Sequence, residues 1–151
     1  MKIIFLCHGN ICRSPMAEYV MKDLLNKAGI KGVEVCSRAA RTDEIGSDIY
    51  PPHRRTMDAH GVPYARRAAT LITRADFDAA DVVVVMDEEN VRDMRRAFGP
   101  SDKVVKLMSY VGLSRDVSDP WYTRDFETTY SDVLAGCSAM LERIKAGRPL
   151  L

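Results

Sequence analysis

The stretch IIFLCHGNICRSP, residues 3–15, decides the fold of this chain. Residues 3–7 form a short and mostly apolar run, which predicts a buried strand of a parallel sheet. Ser14 and Pro15 then predict a helix, with Ser14 as N-cap and Pro15 as its first residue. The loop between strand and helix therefore lies beyond the carboxyl end of a strand, where α/β proteins bind their ligands.

The same loop has the composition of an anion site. Gly9 and Asn10 tolerate left-handed backbone conformations, which let successive N–H groups point inward beside the positive end of a helix. The planar guanidinium of Arg13 can hold two oxygens of one phosphate. Cationic groups and helix dipoles favour the thiolate of a cysteine, which is its nucleophilic form. The loop therefore predicts a tetrahedral-oxyanion site with Cys7 as nucleophile.

Strands and helices alternate along the rest of the chain. Further strands are predicted over 33–37, 82–86 and 104–107, and helices are predicted from Ser14 to Gly29, over 51–60, after Thr73, over 88–98 and from 126 to 144. Thr73, with Asp76 three residues on, is predicted to cap the short helix, and Asp87 to cap the helix over 88–98. This alternation predicts an α/β fold: one domain over 1–151, with a four-stranded parallel sheet, helices on both faces and the phosphate loop after the first strand. A long loop is expected between the fourth strand and Tyr122.

Asp119 is the candidate general acid. It follows the fourth strand and is therefore expected at the same sheet edge as Cys7. Pro120 restricts Asp119 to extended geometry. A thiolate that displaces phosphate from an ester needs an acid for the leaving oxygen and then a base for water, and one carboxyl can serve both steps.

Composition limits the other classes of function. The 151 residues carry 22 Lys and Arg against 21 Asp and Glu, a balance that gives no case for nucleic-acid or membrane binding. The short apolar start is unlike a signal peptide, so a cytoplasmic location is expected. The spacing of Cys7, His8 and Cys12 matches no common zinc pattern, and no dinucleotide or nucleotide loop motif occurs. We therefore predict no metal and no cofactor.

CHGNICRSPMAE, residues 7–18, contains the pattern Cys-x5-Arg and resembles the opening of low-molecular-weight protein tyrosine phosphatases. The resemblance covers nearly the whole chain. It implies a phosphotyrosine phosphatase in which the phosphoryl group passes to Cys7, Arg13 holds its oxygens, and Asp119 is acid and then base. Further contacts with phosphate or substrate are expected from His8, Gly9, Asn10, Ile11, Cys12, Ser14, Trp121 and Tyr122. The implied partner is a phosphotyrosine-containing protein, a tyrosine kinase among the candidates, and the implied state is a monomer or weak dimer.

Several alternatives stay open at this level. The Ser14 hydroxyl suits either the Cys7 sulfur or a helix cap. Protein-arginine phosphatases resemble this chain but tend to carry Thr at the position of Ile11, so Ile11 favours phosphotyrosine. An arsenate reductase and a non-catalytic phosphate-binding module are further candidates. The resemblance implies a transient disulfide between Cys12 and Cys7, and the alternative for Cys12 is a small buried core residue.

Four side chains carry further expectations. Arg38 replaces a small residue of the family pattern, which puts contacts of its loop with the phosphate loop in question, except through Ser37. Trp121 stands where Tyr is usual and keeps an aromatic wall for a phenyl ring. His53 is expected to face solvent, as is the later His60.

Overall fold

A computed structural model describes all 151 residues and contains one parallel sheet. The strands are β1 (Lys2–Cys7), β2 (Glu34–Ala39), β3 (Val82–Val85) and β4 (Val104–Lys106), in the order β2-β1-β3-β4. Cys7 lies opposite Ala39 of β2, and Leu6 lies opposite Val85 of β3. Because every pair is parallel, all carboxyl ends meet at one edge. The predicted fold class is confirmed.

Six helices surround the sheet. They are α1 (Arg13–Lys27), α2 (Pro51–Ala59), α3 (Arg74–Ala79), α4 (Glu88–Phe98), α5 (Pro120–Thr123) and α6 (Phe126–Lys145). None combines the length and hydrophobicity needed to cross a bilayer.

Alternate residues of β1 build two cores. Ile3 and Phe5 pack in the larger cluster with apolar side chains of α1 and α6. Ile4 and Leu6 pack in a second cluster that includes Phe77 of α3 and residues of α4. This is the period-two alternation of a strand covered by helices on both faces. The double cover holds the carboxyl end of β1, and with it Cys7, in a rigid frame.

Helix α1 starts earlier than the sequence predicts. Its first residue is Arg13, and Cys12 is the N-cap, without a side-chain capping bond. The prediction of Ser14 as N-cap is wrong, because its hydroxyl faces the Cys7 sulfur. Elsewhere the capping signals are confirmed: Thr73 and Asp76 form a capping box at α3, and Asp87 caps α4.

The segment after β4 is more ordered than the long loop predicted. A 3₁₀ helix runs over Leu107–Val111, and α5 begins at Pro120 and includes Tyr122. Leu107 packs against Gly136 of α6 so closely that a Cβ on that glycine would lie 2.5 Å from the leucine side chain. Farther on, the Val117 N–H donates to the Met86 carbonyl at 2.9 Å. These contacts fix the segment that carries Asp119 against the end of β3.

His53 corrects another prediction, because it is fully buried rather than solvent-facing. Its ring packs edge-on to Phe126 at 5.2 Å between centroids, and neither ring nitrogen has a hydrogen-bond partner. Burial, followed by the nearby charge of Arg13, lowers the pKa of His53 to about 4. His60 is exposed, as predicted.

Candidate active site

The phosphate loop is pinned from behind at Asn10. This residue is fully buried and adopts the left-handed conformation, with φ of 58°. Arg67 donates from Nη1 to the Asn10 carbonyl at 2.6 Å and from Nη2 to its side-chain oxygen. The Thr70 N–H donates to the same side-chain oxygen at 3.1 Å. These bonds offset the steric cost of a left-handed non-glycine residue.

Cys7 lies at the carboxyl end of β1 with its sulfur against Ser14. The Ser14 hydroxyl is 3.0 Å from Sγ, and the Ser14 N–H donates to Sγ at 3.4 Å. The amide of Asn10 donates to both the Ser14 and the Ser37 hydroxyls at 2.9 Å, and Ser37 donates to Glu18 at 2.6 Å. A continuous polar chain therefore connects the sulfur to a carboxylate of α1.

Arg13 forms the cationic floor of the site. It is 2% exposed, and Nη1 donates to Asp87 at 2.7 Å and to the Val117 carbonyl at 3.0 Å. Burial lowers the pKa of Arg13, but the charges of Cys7, Asp119 and Asp87 outweigh burial and raise it above its ordinary value. Its Nε has no partner within the protein. The guanidinium therefore keeps a donor for an incoming anion.

Asp119 faces Arg13 across the site. Its backbone is extended, with φ of −82° and ψ of 111°, as the following Pro120 requires. One carboxyl oxygen accepts from the Trp121 N–H at 3.0 Å and the other lies 3.5 Å from Nη2 of Arg13. The carboxyl is therefore both an N-cap of α5 and a neighbour of the guanidinium.

These groups line one cavity of about 320 Å³. Its lining consists of Cys7, His8, Gly9, Ile11, Cys12, Arg13, Asp43, Glu44, Asp87, Glu89, Asp119, Trp121 and Tyr122. Of the residues predicted to contact phosphate or substrate, Asn10 and Ser14 are absent from this lining. Both are fully buried and bond to the loop from behind, so the structure gives their side chains a supporting position.

Comparison with known proteins agrees with this geometry. The family model of low-molecular-weight phosphotyrosine protein phosphatases matches residues 2–149. The chain belongs to this phosphatase family. Membership confirms the predicted resemblance and the predicted enzyme class, a low-molecular-weight protein-tyrosine-phosphatase.

Relatives of this phosphatase come from distant organisms. Low molecular weight phosphotyrosine protein phosphatase 1 of Drosophila melanogaster is 38% identical over 152 residues, covering 95% of this chain and 97% of the relative. The crystal structure of YfkJ from Bacillus subtilis superposes with a TM-score of 0.92 at 30% identity, covering 99% of this chain and 97% of the other. The crystal structure of DARP, a Drosophila arginine phosphatase, gives 0.87 at 28% identity, covering 96% and 98%.

One wall of the phosphatase cavity is aromatic. The Trp121 ring lies 5.1 Å from the ring of Tyr50, between centroids. Arg124 donates to the Tyr50 hydroxyl at 2.8 Å, and its guanidinium lies 5.7 Å from the Trp121 ring centroid. Tyr122 is 83% exposed at the mouth. Trp121 is therefore held by two neighbours, whereas most of the surface of Tyr122 is exposed to solvent.

Several residues of the phosphatase site were not predicted. Asp87 was predicted only as a helix cap, although its place directly after β3 would also have put it at the catalytic edge. Glu89, in the first turn of the next helix, shares that position, whereas Arg67 and Asp43 come from segments with no signal of that kind. Arg38 turns away from the phosphate loop, to Asp76 and a neighbouring carbonyl, so contact with that loop is made through Ser37.

Proposed function

We propose that this phosphatase hydrolyses phosphotyrosine monoesters in proteins through a phosphocysteine intermediate. The observation that carries the proposal is the convergence of Cys7, Arg13 and Asp119 on one cavity, where the buried Arg13 Nε lacks a partner. Thiolate, cation and carboxyl supply the nucleophile, the anion clamp and the proton donor that the reaction needs.

In the first step the Cys7 thiolate attacks phosphorus while the bond from phosphorus to the tyrosine oxygen breaks. Asp119, in its acid form, gives its proton to that departing oxygen. Arg13 and the N–H groups of the phosphate loop hold the remaining phosphoryl oxygens, on which charge is concentrated. The products are a free tyrosine side chain and S-phosphocysteine at Cys7.

In the second step Asp119 acts as a base. It takes a proton from water as the water oxygen attacks phosphorus, and the sulfur–phosphorus bond breaks to return the Cys7 thiolate. Inorganic phosphate leaves and Asp119 is again in its acid form. The hydrogen bond from the Ser14 hydroxyl supports the thiolate as leaving group, since it stabilises the charged sulfur.

The walls support an aromatic substrate. Cys7 is 2% exposed at the bottom of the cavity, and Ile11 and Trp121 line its sides. A long flat side chain reaches the sulfur more readily than the shorter phosphoserine. Substrates would be phosphotyrosine-containing proteins, tyrosine kinases among the candidates. The four unpaired cysteines support action in a reducing compartment, the cytoplasm.

Phosphoarginine is the second candidate substrate. The similarity to the Drosophila arginine phosphatase supports it, whereas Ile11 in the cavity wall favours tyrosine. The two phosphorylated side chains differ in their leaving atom, which is an oxygen in one and a nitrogen in the other.

The test is hydrolysis of para-nitrophenyl phosphate, a phosphotyrosine peptide and phosphoarginine by wild type and Cys7→Ser, in reductant and without added metal. We expect wild type to cleave both phenolic esters and spare phosphoarginine, and Cys7→Ser to be inactive. Preference for phosphoarginine would replace the tyrosine assignment. An inactive wild type that still binds phosphate would replace the enzyme with a binding module.

A further inference from the structure

The mouth of the cavity is acidic. Three of its lining residues, Asp43, Glu44 and Glu89, are carboxylates that do not contact Arg13, and we call them the acidic rim. The side chains of Asp43 and Glu89 are 58% and 45% exposed. A phosphate dianion must therefore pass these negative charges to reach Arg13. Positive charge elsewhere in the substrate would compensate for the repulsion.

His8 connects two members of the acidic rim. Its Nε2 lies 2.6 Å from a carboxylate oxygen of Asp43, and its Nδ1 lies 3.0 Å from one of Glu89. Burial lowers the pKa of His8, but hydrogen bonds and charges from these two carboxylates outweigh burial and raise it. Even a protonated imidazole cancels only one of the two negative charges that it bridges. The His8 bridge therefore keeps a net negative charge.

Glu44 lies directly on the phosphate loop. Its Cγ is 3.3 Å from the position that a Cβ on Gly9 would occupy, and it accepts a hydrogen bond from Ser47 at 3.2 Å. Glu44 thus approaches the loop at a residue without a side chain. Its carboxylate adds a charge that no Lys or Arg neutralises through a salt bridge.

The arginines near the opening make their direct hydrogen bonds outside the acidic rim, and Arg41 offsets only part of the charge of Glu89 and Asp43. Arg13 is the sole Lys or Arg in the cavity lining, and it lies at the floor. Arg41 makes two bonds of 3.1 Å to Asp93 and comes only within 4.0 Å of Glu89. Arg124 is bonded to Tyr50 at the aromatic wall. The field at the opening is therefore set by the acidic rim.

We propose that the acidic rim selects phosphotyrosine carried in Lys- or Arg-rich segments. The phosphoryl group binds Arg13 and the loop, while flanking cations contact the rim carboxylates. Acidic flanks are repelled. Complementary charge accelerates encounter and fixes the register of the bound segment. The inference rests on the proposed function, because a phosphorylated side chain must first enter the cavity.

The test compares three phosphotyrosine peptides of equal length, flanked by Lys, Gln or Glu, with para-nitrophenyl phosphate alongside. At low ionic strength we expect kcat/KM for the Lys peptide to exceed that for the Glu peptide by about tenfold. Added salt narrows this ratio, because exposed charges are screened. In Glu44→Gln the ratio falls about threefold. Glu142→Gln, a matched change on the far helix α6, keeps the wild-type ratio.

Three results would overturn parts of this account. Normal turnover of para-nitrophenyl phosphate with equal rates for all peptides, or with the Glu peptide preferred, overturns the role of the acidic rim and leaves the phosphatase proposal intact. Absence of turnover on every phosphotyrosine substrate overturns the proposed function and the inference together. A ratio that Glu44→Gln and Glu142→Gln lower equally also overturns the assignment to the rim.

Discussion

The Ser14 hydroxyl lies 3.0 Å from the Cys7 sulfur and accepts a hydrogen bond from the Asn10 amide. Because a thiolate has no proton to give, the Ser14 hydroxyl is the donor in this pair whenever Cys7 is ionised. A hydrogen bond to a charged group stabilises it by about 1.5–3 kcal/mol. The relationship therefore assigns Ser14 to the charge state of the nucleophile rather than to the helix cap.

Ser14→Ala should lower kcat by about tenfold or more, because the thiolate loses a donor. Alkylation of Cys7 by iodoacetamide, compared at one pH, should also be slower in this variant. Ser37→Ala breaks the polar chain without touching the sulfur and should lower kcat less. An alkylation rate in Ser14→Ala that matches wild type would contradict this role.

Asp119→Asn should slow hydrolysis of phenyl phosphate by about a hundredfold, since the leaving oxygen loses its proton donor. Hydrolysis of para-nitrophenyl phosphate should slow less, because its leaving group is a weaker base and depends less on a proton donor. Asp116→Asn is the matched control in the same segment, since Asp116 bonds to Lys106 and does not line the cavity. Equal losses on both substrates would argue against proton donation by Asp119.

Substitutions of Asn10 separate backbone strain from hydrogen bonding. Gly adopts a φ of 58° without cost, whereas Ala does not, and both lose the amide. We expect Asn10→Ala to weaken inhibition by phosphate and turnover more than Asn10→Gly. Arg67→Met, which removes the two bonds to Asn10, should resemble Asn10→Ala in direction. Wild-type phosphate inhibition in all three would show that the loop holds its shape without them.

His53 should make the protein sensitive to mild acid. Its folded pKa of about 4 lies below the ordinary value of 6.5, so between these values the unfolded chain binds a proton that the folded protein does not. The free energy of unfolding should therefore fall as pH drops through this window, by about 3 kcal/mol in all. Urea unfolding over this range should show the fall in wild type and in His60→Gln. In His53→Leu the contribution of this imidazole to the fall should be missing. If the free energy of unfolding of His53→Leu falls with pH as steeply as that of wild type, His53 is not the group responsible.

Peroxide should produce a Cys7–Cys12 disulfide. Peroxide oxidises Cys7 to a sulfenic acid with release of water, and the Cys12 sulfur then displaces a second water to form the S–S bond. Burial, followed by the charge of Cys7, raises the pKa of Cys12, so Cys12 enters as a thiol. Peptide mass mapping should find the linkage in wild type and in Cys36→Ser. Treated protein without it would identify Cys12 as a core residue alone.

Local sequence patterns were enough to predict most of the fold. The apolar run of β1 and the cap pairs at Thr73 and Asp87 each need only neighbouring residues to act, so the sequence pattern exposes them. Ser14 was misassigned because a serine before a proline suits two local uses, and only the sulfur across the loop decides between them.

The features that the sequence did not predict depend on contacts between residues that are far apart in the chain. His53 is buried because α2 turns it toward Phe126, and the one signal in its own segment is Met57, four residues on and on the same buried face. Arg67 and Asp43 come from irregular stretches without helical or strand periodicity. Their partners, Asn10 and His8, are near the start of the sequence. Only the folded chain brings them together.

Arg13 bonds to the Val117 carbonyl, a contact that spans 104 residues. During synthesis Cys7, the proposed nucleophile, emerges from the ribosome well before Val117, whose carbonyl orients the guanidinium, and before Asp119, the proposed acid. A nascent chain therefore carries the cysteine long before it can turn over an ester. In a translation reaction, the moment at which ester hydrolysis begins would therefore report when the segment with Val117 and Asp119 packs onto the sheet. The measurement needs no added label.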